Sequence, residues 1–172
     1  MAQVIQGQHR EANIVWSSAL PRAGLAGFVS LFAVGLFSRI SELLALLVVP
    51  LVTASFVVWL YRRSQGGVAL TPGAGARIGL VTGFFSFIFN GIGTAAILTY
   101  NQAEFVRALR ERINEEIARS GNVQQTKEFL EQFLTPSGLM ILLLLSAVFM
   151  LFLLLVLGAA GGAMAASSRQ KS

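Results

Sequence analysis

Residues 139–166 read LMILLLLSAVFMLFLLLVLGAAGGAMAA, a stretch without a single charged side chain. About 20 consecutive apolar residues are enough for a helix to cross the hydrocarbon core of a bilayer, and this stretch is longer. Thr135-Pro136 stands just before it, a good N-cap residue followed by the residue that suits the first helical position. The pattern therefore predicts a membrane-spanning helix over about residues 137–163.

Three apolar runs earlier in the chain predict three more spans. We place them at about residues 22–40, 43–61 and 77–100, each close to the length that a bilayer requires. Trp59 and Tyr61 end the second run, where aromatic side chains anchor a helix at the membrane interface. The linker between the first two runs is so short that they are expected to form a tight helical hairpin.

The composition of the whole chain agrees with lipid surroundings. Hydrophobic residues make up 55% and charged residues 12% of the 172 residues, about half the charged share of a soluble domain. The formal net charge is +5, but the basic residues stand mostly at the ends of the apolar runs, where they anchor helices. We therefore predict a single membrane domain over residues 1–172, with a polar N-terminal tail at 1–21 and no nucleic-acid binding. That tail lacks the pattern of a secretory signal peptide.

The segment 101–134, between the last two runs, has the pattern of two amphipathic helices. Apolar residues recur at helical spacing in its first part, at Phe105, Val106, Leu109, Ile113 and Ile117. Its polar face pairs opposite charges four residues apart, namely Arg107 with Glu111, Arg112 with Glu116 and Glu115 with Arg119. The predicted fold is an all-α, polytopic membrane bundle of four transmembrane helices, with an extramembrane amphipathic helical hairpin between the third and fourth. This hairpin either packs as a lid on its own protein or binds a partner.

Small residues recur along one face of the third run and again late in the fourth. On the third run they continue into a polar residue, in the order Gly75, Gly79, Gly83, Ser86, Asn90 and Gly93. On the fourth run Gly158 and Gly162 have the same spacing. Small residues four apart let two helix backbones approach closely, which is how helices associate in lipid. These residues are therefore predicted to pack helices together, either within the chain or between copies.

Two residues inside the spans have both a functional and a structural interpretation. Asn90 is strongly polar and deep within a span, so it marks either a functional path or a hydrogen bond between helices. Pro50 lies in the middle of the second run and should kink that helix near Leu46. The kink is either a hinge or a plain feature of the architecture.

The residues needed for most site chemistry are missing from the sequence. The chain has no Cys and no Asp, and its only histidine is His9. The chain therefore has too few of these residues to form a cluster of metal ligands. A Ser–His pair could draw only on His9. The glycines of residues 73–79 lack the Gly-Lys-Ser/Thr ending of a phosphate loop. We predict no enzyme activity, no catalytic or metal site and no cofactor.

The distribution of charge predicts the orientation. An even number of spans places both termini on one side of the membrane. The loop at 62–77 has three arginines and no acidic residue, whereas residues 101–134 mix five basic residues with six glutamates. Basic residues in short loops favour the cytoplasm, so both termini are expected to be cytoplasmic.

The order of these parts resembles an uncharacterised family of small four-span bacterial inner-membrane proteins, known only as a domain of unknown function. The resemblance covers about residues 23–166. It rests on Tyr61-Arg62-Arg63, on GLVTGFFSFIFN at 79–90 and on FLTPSG at 133–138, which leads directly into the fourth span. The resemblance implies the four-span fold and a bacterial inner membrane, and it implies no activity.

Two functions from different classes fit this pattern. The first is a non-enzymatic structural or accessory membrane protein, acting through helix packing and partner contact. The alternative is a small homo-oligomeric channel or transporter, with Ser86 and Asn90 facing a pore. The expected partners are the lipid bilayer and either further copies of the chain or a larger membrane complex.

Overall fold

The computed structural model describes most of the chain outside its two ends and the segment 116–134. The described residues are 14–39, 41–101, 103–104, 107–108, 111–112, 114–115 and 135–168. They contain four long helices, which we number α1 (Trp16–Phe37), α2 (Glu42–Ser64), α3 (Pro72–Tyr100) and α4 (Pro136–Ser167), and no β-strand. The prediction of an all-α chain with four long helices is therefore confirmed.

All four helices are long and apolar enough to cross a membrane. The qualifying stretches are Trp16–Phe37, Leu44–Ser64, Pro72–Ala96 and Met140–Ser167. Large apolar side chains on these helices are exposed, among them Phe32 at 63%, Leu36 at 71% and Phe152 at 67%. Such surfaces would be unusual on a monomer in water, but lipid accommodates them. These features suggest a membrane protein.

The first helix begins earlier than expected, at Trp16 rather than about residue 22, and ends at Phe37. The apolar run alone predicts a start near Arg22, the charged residue that borders it. Pro21 instead lies inside α1, where it removes a single backbone hydrogen bond. Directly after Pro21, the Arg22 guanidinium donates to the carbonyl and hydroxyl oxygens of Ser18, one turn earlier in the helix. The residues from Trp16 to Pro21 thus belong to the helix and not to the tail.

The connection between α2 and α3 is shorter than the predicted loop at 62–77, because both helices extend into it. At the end of α2, the backbone N–H of Gly67 donates to the Arg62 carbonyl at 2.9 Å. Gly66 has φ +69° there, a left-handed conformation that glycine adopts without strain. At the start of α3, Thr71 Oγ1 accepts from the Ala74 N–H at 3.2 Å. Together with Pro72 this is the same N-cap arrangement that the sequence predicts at Thr135-Pro136, where the hydroxyl accepts from the Gly138 N–H at 3.1 Å.

The described residues fall into two compact units, and their boundaries lie within α3 and α4. Residues up to Phe89 together with those from Leu151 onward form the first unit. Its core consists mostly of small and medium-sized side chains, with Ala19, Ala23, Ala26, Val57, Val58, Tyr61, Leu70, Ala74, Ile78 and Ala166 all buried. Small side chains at these positions allow close approach of neighbouring helices.

Within the first unit, α1 packs against α2. Tyr61 corrects a sequence-based expectation, because it is 3% exposed and faces α1 instead of anchoring the membrane interface. Its hydroxyl accepts a hydrogen bond from the Val15 N–H at 2.9 Å. Trp59, two positions earlier and therefore on the opposite side of the helix, is 42% exposed. Only one of the two aromatic residues is thus placed as an interface anchor would be.

The second unit comprises the residues from Asn90 to Met150. The predicted pair of Arg107 with Glu111 is confirmed, with Nε and Oε1 3.2 Å apart. Both side chains are exposed, so the pair contributes little to stability. Every apolar residue of the predicted amphipathic face, and the second helix of the predicted hairpin, lie outside the described residues. The hairpin over 101–134 therefore stays a prediction.

Candidate functional site: small-residue contacts between helices

Two helices of the first unit, α3 and α4, approach each other closely at Gly79 and Gly158. A Cβ atom built on Gly79 would lie 2.7 Å from the carbonyl carbon of Gly158 and closer still to its oxygen. A Cβ built on Gly158 would likewise lie 3.2 Å from the carbonyl carbon of Gly79. Carbon atoms that are not bonded normally stay at least 3.5 Å apart. Neither position therefore has space for a side chain, since each glycine faces backbone.

The same contact repeats one turn away on either side. A Cβ built on Gly75 would lie 2.7 Å from the Ala166 side chain and 3.0 Å from the carbonyl carbon of Gly162. A Cβ built on Gly83 would lie 3.0 Å from the carbonyl carbon of Leu154. The structure thus brings three of the predicted α3 residues against both predicted α4 residues, over three successive turns.

A second contact joins α4 to α2 beside Pro50. A Cβ built on Gly161 would lie 3.0 Å from Leu51 Cα, directly after the proline. Ser55 Oγ donates to the Gly161 carbonyl at 3.0 Å, which adds a polar link at the same place. Pro50 itself is buried within α2. The backbone directly after Pro50 therefore lies against α4, and the role of Pro50 as a hinge stays a prediction.

A third contact joins α1 to α3 through Gly27, Ser30 and Ser86. A Cβ built on Gly27 would lie 2.8 Å from Phe85 Cβ and 3.0 Å from the Ser86 nitrogen. Ser30 Oγ donates to the Gly27 carbonyl at 2.6 Å and lies 3.1 Å from Ser86 Oγ. Ser30 and Ser86 are both 2% exposed. Ser86 is thus part of a buried hydroxyl pair between two helices.

Two of the predicted site residues lie outside this region, in the second unit. Asn90 and Gly93 belong to the later part of α3, and both are half-buried. The helix contacts described for the first unit therefore do not test their predicted role in helix packing. Both assignments stay predictions.

Sequence analysis missed the contribution of α1. Its buried residues are Ala19, Ala23, Ala26, Gly27 and Ser30, all of them small. Their spacing of three and four residues is the same signal that was used for α3. The signal is weaker on α1, because only one of these five residues, Gly27, is a glycine. Gly161 was missed for a different reason, since it contacts α2 at Leu51, whereas Gly158 and Gly162 contact α3.

A cavity of about 490 Å³ lies in the first unit where α2 and α4 end. Its lining consists of Trp59, Arg62, Arg63, Gly66, Gly67, Ala165 and Ser168. Arg62 Nη1 donates to the Ala165 carbonyl at 3.3 Å, which links the two helix ends. The Arg63 guanidinium carbon lies 5.5 Å from the centre of the Trp59 ring, within the range of a cation–π contact. This cavity is a basic, partly aromatic space that sequence analysis did not single out.

Comparison of the chain with protein-family models, curated proteins and solved structures gives no match. The resemblance to small four-span bacterial inner-membrane proteins accordingly stays a prediction.

Proposed function

We propose that the protein is a non-enzymatic integral protein of the bacterial inner membrane, a bundle of four transmembrane helices that serves a larger membrane assembly as a structural or accessory subunit. The observation that carries this proposal is the run of backbone contacts between α3 and α4 at Gly75, Gly79 and Gly83. Such contacts hold two helices in one fixed arrangement. A fixed arrangement is what a scaffold requires.

The buried polar groups of the first unit support the same interpretation. Ser30 donates to the Gly27 carbonyl, and Ser55 to the Gly161 carbonyl. Thr82 donates to the Ile78 carbonyl at 3.0 Å and is 1% exposed. The Ser55 bond reaches α4, and Ser30 also meets Ser86 of α3, so these two hydroxyls link neighbouring helices, which stabilises helix association in lipid. The Thr82 bond stays within α3, and all three hydroxyls have partners. They would be poor candidates for the lining of a solute path.

The alternative function, a small homo-oligomeric channel or transporter, fits these contacts less well. It places Ser86 at a pore, whereas the Ser86 side chain is 2% exposed and lies between α1 and α3. A path through the first unit would have to separate helices whose backbones touch. We therefore favour the accessory role.

The surface that would meet a partner is the segment 101–134. Its described residues Glu104, Arg107, Glu111, Arg112 and Glu115 are all exposed. Exposed charges of both signs favour a partner surface with a complementary pattern, and they would steer its encounter more than they add affinity. This is the basis for assigning partner contact to the segment.

The proposed orientation places both termini in the cytoplasm. In residues 14–89 and 151–168 the only acidic residue is Glu42, which begins α2. Arg62 and Arg63 lie at the other end of that helix, and Arg22 and Arg77 lie near the starts of α1 and α3. A cluster of arginines without acids favours the cytoplasmic side.

Native mass spectrometry of the protein, extracted gently from its own membrane, tests the proposed function. We expect the protein to leave the membrane with larger subunits in a fixed ratio. A variant with Glu104, Glu111 and Glu115 changed to Gln should lose these subunits while keeping its own thermal stability, since the three side chains are exposed. The matched control is Arg39→Gln, an exposed charge in the turn between α1 and α2, which should retain them. Extraction as a lone homo-oligomer that conducts ions in liposomes would contradict the proposal and favour a channel.

A further inference from the structure

The cavity at the ends of α2 and α4 has a positive charge that no described group neutralises. Arg62 and Arg63 both line it. Among the described residues, the polar partner of the Arg62 guanidinium is the Ala165 carbonyl, and neither arginine pairs with a carboxylate. A carbonyl leaves the full charge of Arg62 in place. The cavity therefore presents two guanidinium groups to whatever enters it.

Compensation of helix dipoles explains only part of this arrangement. Basic side chains in the last turn of a helix interact favourably with its C-terminal carbonyls, and Arg62 does so across to α4. Arg63 makes no such bond to a described residue, and its guanidinium lies over the ring of Trp59 instead. The contact holds Arg63 beside the cavity. Gly66 and Gly67 form another part of the wall and leave space, because they have no side chains.

A phosphate group suits this site by charge, since Arg62 and Arg63 both line it. The planar guanidinium group matches phosphate oxygens with paired hydrogen bonds, and two neighbouring arginines can hold one phosphate from two sides. The cavity volume of about 490 Å³ lies in the usual range for small-molecule sites. The space is therefore large enough for a phosphate with the polar group attached to it.

The surface next to the cavity indicates that this phosphate belongs to a lipid. Along α2, exposed apolar side chains continue from Trp59 on one face, at Phe56 (52% exposed) and Val52 (60% exposed). The rings of Phe56 and Trp59 are stacked, with centroids 5.6 Å apart. A soluble phosphate would make no use of this apolar surface, whereas an acyl chain would lie along it. Tryptophan favours the level of the headgroups in membranes, and Trp59 lies near the end of the span formed by α2.

We propose that this cavity is a binding site for an anionic phospholipid, with Arg62 and Arg63 on its phosphate and the Trp59–Phe56–Val52 face along one acyl chain. Basic pockets between helices on the cytoplasmic side of a membrane are suited to such headgroups. The site goes beyond the accessory role proposed above, since it does not depend on any protein partner. It ties α2 and α4 to the lipid leaflet where both helices end.

Native mass spectrometry of the full chain in mild detergent measures this binding directly. The probes are phosphatidylglycerol and phosphatidylcholine with identical acyl chains, each titrated into the protein. We expect phosphatidylglycerol to bind more tightly by about tenfold, and Arg63→Gln to weaken it by about tenfold, the effect of one charge-assisted hydrogen bond. Arg63 is exposed, so this variant should keep the thermal stability of the parent.

The matched control is Arg77→Gln, which removes an exposed charge from the first part of α3, outside the cavity. It should change the affinity by less than about twofold, because exposed charges are screened. Equal binding of the two lipids, or equal losses in Arg63→Gln and Arg77→Gln, would overturn the site. Glycerol phosphate, added in large excess, should not displace the lipid. Displacement would show that a soluble phosphate is the ligand and would overturn the lipid assignment.

Discussion

Replacing Gly79 with alanine should destabilise the protein strongly for so small a change. The new methyl group would meet the Gly158 carbonyl, with its carbon atom 2.7 Å from the carbonyl carbon. The obstacle is backbone, which cannot rotate away as a flexible side chain can. The helices α3 and α4 would therefore have to separate by about 1 Å to restore ordinary contact distances.

That separation determines the size of the effect. Extra methyl groups in packed interiors cost about 1–3 kcal/mol. A gap of about 1 Å also removes up to half of the dispersion attraction of each atom pair across it, and the contacts at Gly75 and Gly83 would open with Gly79. We expect a loss of about 2–3 kcal/mol in the free energy of unfolding, at the upper end of that range.

The matched control uses the same substitution in the same helix. Among the described residues, nothing lies within 4 Å of a Cβ atom built on Gly91, which is exposed on α3. Alanine has the higher helix propensity, so Gly91→Ala should raise the free energy of unfolding by about 0.5–1 kcal/mol. The two variants should therefore change stability in opposite directions.

The assay is unfolding of the purified protein in mild detergent by titration with sodium dodecyl sulfate, followed by circular dichroism. If Gly79→Ala were as stable as the parent or as Gly91→Ala, the backbone contact between α3 and α4 would not stabilise the fold. The proposed scaffold would then lose its main support.

Three further predictions concern two other contacts and the topology. Tyr61→Phe removes the acceptor of the Val15 N–H, just before α1, and should lower the free energy of unfolding by about 1 kcal/mol. Hydrogen exchange at the Val15 amide should accelerate, and an unchanged exchange rate would contradict the bond. Ser30→Ala and Ser86→Ala, combined in a double-mutant cycle of unfolding free energies, should show a coupling of about 0.6 kcal/mol, and additive effects would exclude a stabilising pair. The chain has no cysteine, so single cysteines report the topology cleanly: a thiol reagent that cannot cross the membrane should label Arg39→Cys in intact cells but Ser64→Cys only after lysis. The reverse pattern would place the termini outside.

The four helices follow from the sequence because each apolar run is long and free of charge in its interior. The ends of the helices were harder to predict, since proline and glycine occur both at helix ends and inside helices. Pro21 lies inside α1, whereas Pro72 begins α3. Thr71-Pro72 has the same capping pattern as Thr135-Pro136, but the glycines around it favoured a loop.

The contacts of the candidate site were predictable in part. The spacing of Gly75, Gly79 and Gly83 points to one helix face, and the structure places that face on Gly158 and Gly162. Spacing alone does not determine which side of α2 meets α1, so the sequence predicts an interface anchor at Tyr61, where the structure has a buried side chain. The cavity beside Arg62 and Arg63 could not be predicted from spacing either, because its walls come from helices far apart in the sequence.

The contact between α3 and α4 joins segments that nearly half the chain separates, and this has a consequence for biosynthesis. When α3 leaves the ribosome and enters the bilayer, Gly158 and Gly162 have not yet been made. The backbone at Gly75 to Gly83 then lacks its partner on α4, and it can face lipid because the hydrogen bonds of a helix are internal. A nascent chain that stops before Gly158 therefore leaves uncovered a helix face that can associate with other helices. A second nascent chain or an insertion factor would meet that face first.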